Sequence, residues 1–175
     1  MQFNAASYGR AVEQILECGA PSLAGLVASA PPSPELTRAI SESLFVDSAH
    51  PTGALAGLWM YFDCFDESHQ ISQADGSCEG SLWHGIAHRR EPDYSNSAYW
   101  FREAGSHPVF PQILEAARVV PGPGLRLGET WDPFAFIDFC EEAVKVGGGR
   151  EAWALAVQRL EWQILFDFCA RKSSV

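Results

Sequence analysis

The sequence predicts an all-α fold, a single-domain irregular helical bundle of about seven to eight helices over residues 1–175. Three observations predict it. Apolar residues recur at helical spacing in nearly every periodic segment, and no run alternates as a strand would. The Pro/Gly-rich connections, such as APPSPEL and PGPGLRLGE, are too short to separate domains. The chain is 47% apolar and 19% charged, a globular balance with enough length for a sizeable core. Eleven Phe and six Trp point to a core built on rings.

The elements follow in order. Val12, Ile15 and Leu16 share one face of a helix over 7–18, and a weak turn is expected from Ser22 to Ala28. Ser33 reads as an N-cap with Pro34 at the first helical position, ahead of the stripe Leu36, Ile40, Leu44. A long helix is expected over 52–73, then the turn-rich loop ADGSCEGS at 74–81. A helix over 82–90 should stop before Pro92, and another should start at Ser95 or Asn96. Further helices are expected over 109–119, from Asp132-Pro133 to 146, and over 150–170 after the GGG at 147–149.

Twelve basic residues against twenty-two acidic give a net charge of −10. Phosphate backbones and anionic membrane surfaces are poor partners for such a surface. The longest apolar stretch, ALAGLWMYF at 54–62, is too short to span a bilayer, and MQFNAASYGR lacks the pattern of a secretory signal. Five scattered cysteines with no CxxC fit reduced thiols in the cytoplasm.

Chemistry concentrates in two places. On the arc of the expected 52–73 helix that carries Leu55, Leu58, Trp59, Phe62 and Phe65, the pattern also places Asp66, His69 and Gln73, with Asp63 and Glu67 turned toward solvent. A polar group on a core-facing arc needs a partner. In LWHGIAHRRE, His84 and His88 lie four apart with Glu91 three further on, so all three share a face. HxxxH supplies two metal ligands from one helix, and His69, Asp66, Glu91, Asp93 and His107 are further candidates. The bland reading is that each ring donates to a backbone carbonyl. Arg89 and Arg90, beside Glu91 and Asp93, read as a surface ion-pair cluster or as a clamp for an anionic group. Tyr99, Trp100 and Phe101 wrap their helix and read as core, with the Tyr99 hydroxyl needing a partner. Glu161 falls inside a wide apolar arc of the last helix and should pair with Arg89, Arg90 or Arg102, or face the histidines.

The run W-H-x3-H-R-R-E-P-D-Y-S-N-x2-Y-W-F-R, preceded by D-E-S-H-x-I-S-Q at 66–73, resembles a family of small uncharacterised proteins from bacteria and fungi. The ending LEWQILFDFC at 160–169 is also similar. The resemblance covers the central half and the C-terminus. It implies that these polar residues form a unit and names no reaction.

Two functions are expected from these residues. The first is an enzyme acting on a small molecule, an anionic one if the arginines hold it. His69, His84, His88 and Asp66 would bind one divalent ion (Zn, Fe, Mn or Ni). Glu67 or Glu91 would handle protons, and Arg89, Arg90, Asn96 and Tyr99 would hold the substrate. The second is a non-catalytic helical module whose polar cluster is a satisfied buried network.

Overall fold

The computed structural model describes residues 5–18, 23, 25–27, 33–42, 45 and 47–172. They form a 3-10 turn, Ala5–Tyr8, and nine α-helices: α1 (Arg10–Cys18), α2 (Pro34–Ser41), α3 (Pro51–Tyr61), α4 (Phe65–Ala74), α5 (Cys78–Arg90), α6 (Tyr94–Ala104), α7 (Phe110–Arg118), α8 (Pro133–Val146) and α9 (Gly148–Ala170). No strand occurs among the described residues, so the all-α expectation holds. Ser22, Ala24, Ala28 and Leu44, part of the expected turn and stripe, lie outside them.

Ring and aliphatic side chains from α1–α3 and α5–α9 form one buried cluster, against which α4 packs Phe65 and Ile71. α5 sits in the middle, against α3, α4 and α6. Every residue from Glu79 to Arg90 is buried. Gly57 lets α3 approach α5 and α9: a Cβ there would lie 2.6 Å from the Trp83 ring and 3.0 Å from Phe166. At the same crossing the Trp162 indole N–H donates to the Gly57 carbonyl at 2.7 Å.

The expected helix over 52–73 is two helices, which raises the number of α-helices among the described residues to nine. The chain turns at Phe62–Cys64, where Asp63 adopts a left-handed backbone at φ 58°. Short side chains that bond locally tolerate this conformation, and Asp is one of them. With neither Gly nor Pro present, the sequence pattern runs straight through the break. The shared arc drawn from Leu55 to Gln73 therefore does not exist as one surface, and Asp63, expected toward solvent, is buried at 7% exposure.

Caps explain the other boundaries. The Ser77 hydroxyl accepts from Gly80 N–H at 3.0 Å, so α5 starts four residues before the expected 82. Asp93, rather than Ser95 or Asn96, caps α6 by accepting from Asn96 N–H at 3.2 Å. Ser33 and Asp132 cap α2 and α8 as expected.

Candidate metal centre

Two hydroxyl bonds set the helices that carry the histidines. Ser68, one residue before His69, donates to the Ala56 carbonyl at 2.9 Å and ties α4 to α3. Ser97 donates to the Gly85 carbonyl at 2.7 Å and ties α6 to α5. Gly85 permits that approach, since a Cβ there would meet the Phe101 ring at 2.8 Å. The α5–α6 register then places two i,i+4 pairs opposite each other. Trp100 stacks on His84 with ring centroids 4.0 Å apart and 25° between planes. The Asn96 amide nitrogen lies 3.0 Å from His88 Nε2.

His69 on α4 completes the group. His84 Nε2 is 3.0 Å from His69 Nε2 and 3.0 Å from His88 Nε2. One ligand atom from each of the three residues lies within 4.8 Å of the others. A ring nitrogen carries either one in-plane hydrogen or one in-plane lone pair. His84 Nε2 therefore satisfies at most one of its two short contacts well by hydrogen bonding. A cation among three lone pairs satisfies all of them. In a tetrahedral site with N–metal bonds of 2.0–2.1 Å, ligand nitrogens stand roughly 3.3 Å apart, and the two 3.0 Å separations at His84 are close to that spacing. His69, His84 and His88 can hold a metal ion.

The electrostatics favour ligands over cations. Burial, reinforced by repulsion from His69 and His88, pushes the His84 pKa down to about 4. Burial also lowers that of His88, with His69 adding to it and Glu91 and Asp93 opposing. Both rings are thus neutral at pH 7, each with one ring nitrogen carrying a lone pair. Glu91, the C-cap of α5, sets an Oε2 3.3 Å from His88 Nδ1. That contact holds the Nδ1–H tautomer and turns Nε2 toward the other rings, the usual carboxylate–histidine support of a metal ligand. His84 Nδ1 is buried without a hydrogen-bond partner.

The remaining candidates are placed as follows. Asp66 is exposed and does not belong to the three-residue group. Glu67 is half-buried and two residues from His69, hence about 200° away around α4, pointing off the trio. Glu91 contacts His88 and so positions a ring rather than standing free to move protons. Arg89 and Arg90 do not form an anion clamp: they are 2% and 0% exposed and turned inward. Arg89 makes a two-pronged ion pair with Glu161 and lies over the Phe136 ring at 4.7 Å. Arg90 pairs with Asp63 and donates to the Met60 carbonyl at 3.3 Å. A buried guanidinium must be neutralised, and these carboxylates do it. Tyr99 is 48% exposed, its ring edge-on to Trp100 at 5.3 Å. His107 is taken by Glu79 at 3.1 Å, and its Nδ1 accepts from Val109 N–H. Cys64, Cys140 and Cys169 are buried free thiols, and burial pushes each pKa up to about 12.

Sequence reasoning missed Trp100 as a neighbour of the trio. Its i,i+4 spacing from Asn96, facing the i,i+4 spacing of the histidines, was the available signal.

No known protein-family model, curated protein or solved structure matches this chain. No helix among the described residues is long and apolar enough to cross a membrane.

Proposed function

We propose that this protein is a metal-dependent, hydrolase-like enzyme acting on a small molecule, with His69, His84 and His88 as the three protein ligands. The observation that carries the reading is the meeting of three imidazoles, with His84 Nε2 3.0 Å from both His69 Nε2 and His88 Nε2 and all three ligand atoms within 4.8 Å of one another. Three protein ligands leave a coordination position for water, the pattern of catalytic rather than structural zinc. Neutral imidazoles leave the full charge of the ion in place, which acidifies such a water toward neutral pH and polarises a carbonyl or phosphoryl oxygen. An all-imidazole set suits Zn, Fe or Ni better than Mn, which prefers oxygen. The Asn96 amide, 3.0 Å from His88 Nε2, would stand beside an ion held by the trio. Glu91 holds the His88 ring.

The test is metal analysis of protein purified without a polyhistidine tag, with His84→Ala as control. One equivalent of a divalent transition ion in the native protein and none in the variant is the expected result. Absence of stoichiometric metal after incubation with zinc or cobalt sinks the reading.

A second reading rests on the placement of the trio across α4 and α5. There the ion would be a clip between two helices of a non-catalytic module. It predicts a metal that binds but accepts no exogenous ligand.

A further inference from the structure

The charge of the molecule that the trio serves can be argued from what faces it. This step rests on the metal reading above. The sequence offers two adjacent arginines to an anionic substrate, but Arg89 and Arg90 are spent internally on Glu161 and Asp63. What stands around the histidines instead is acidic and aromatic. Glu91 reaches His88 at 3.3 Å with its side chain 50% exposed, so its charge lies between the trio and solvent. Asp93 caps α6 three residues before Asn96, and it and Glu91 are the anions felt most at His88. Asp66, exposed on α4, lies one turn before His69. Phe65 packs against His69 at 5.4 Å, and Trp100 covers His84 at 4.0 Å.

We infer that the site takes a neutral or cationic small molecule, its metal-binding group at the trio and any positive charge on the side of Glu91 and Asp93. Two carboxylates beside His88 repel a second anion and attract a cation. The net charge of −10 works in the same direction at longer range.

The experiment uses the untagged full chain loaded with cobalt(II), whose visible absorption reports ligands at the metal. Three hydroxamates serve as probes. They share the chelating group and differ only in the tail: trimethylammonium, tert-butyl or carboxylate. The expected order of affinity is trimethylammonium, then tert-butyl, then carboxylate, with about tenfold between the extremes at low salt and a narrower span in 0.5 M salt, where screening is stronger. Equal affinities, or a carboxylate tail that binds tightest, overturn this inference and leave the metal site standing. A cobalt complex that takes no hydroxamate removes the open coordination position, and this inference with it. Failure to form a one-to-one cobalt complex overturns the metal reading itself.

Discussion

α5 buries two kinds of polar group within about two turns, and they are treated in opposite ways. Arg89 and Arg90 each meet a carboxylate brought from elsewhere, Glu161 from α9 and Asp63 from the turn after α3. His84 and His88 meet each other and a third histidine. The first arrangement is closed in charge: opposite charges neutralise one another, although each guanidinium keeps a buried Nε without a hydrogen-bond partner. The second gathers like groups, which a cation from outside could bridge. Burial of polar residues does not by itself mark a functional site. The identity of the partners does.

The sharpest way to break this comparison is to remove one partner on the closed side. Glu161→Ala leaves an uncompensated buried guanidinium and should cost about 3–5 kcal/mol in urea denaturation. The double variant Arg89→Met, Glu161→Leu should recover most of that loss. If Glu161→Ala is tolerated without loss, the pair is not the closed unit described.

The open side should respond to pH. The His84 pKa is about 4 in the folded protein against an ordinary 6.5, so the unfolded chain binds more protons between those values. Stability of the metal-free protein is therefore retained above pH 6.5 and lost as pH falls toward 4. Thermal midpoints measured across that window should fall, and His84→Gln should flatten the slope. An unchanged slope in the variant would show that other groups carry the effect.

Glu91→Gln tests the support of the trio. It should weaken metal binding about 10- to 100-fold, as loss of an outer partner does, with the metal-free thermal midpoint near that of the native chain. The smallest effect belongs to a solvated pair. Lys145 meets Glu141 at 2.7 Å on α8, both well exposed, and Lys145→Ala should cost no more than about 0.5 kcal/mol.

Much of this architecture was legible from the residues. Helical periodicity supplied the all-α class, and Ser33 and Asp132 announced their caps. The i,i+4 spacing of His84 and His88 implied a shared face, and His69 was the right third member. Glu161 stood out as a charge in an apolar arc. What failed depended on geometry beyond one helix. The turn at Asp63 carries no strong breaker, so the faces of Asp66 and Glu67 were assigned on a helix that does not continue. The destination of Arg89 depended on α9, 72 residues away, and no local pattern encodes it. Trp100 looked like core because a ring stacked on an imidazole and a ring in a core have the same spacing.

The two regions also differ in when they can assemble. His69 and His84 are 15 residues apart, whereas Arg89 and Glu161 are 72 apart. Closing the short loop costs less chain entropy than closing the long one, and local contacts form early in folding. The histidine trio can thus come together while α9 is still undocked, and still being synthesised on a ribosome. An ion captured at that stage would staple α4 to α5 before the last helix arrives to neutralise Arg89. The order of events during folding would then run from the metal site outward, with the longest-range ion pair closing the structure last.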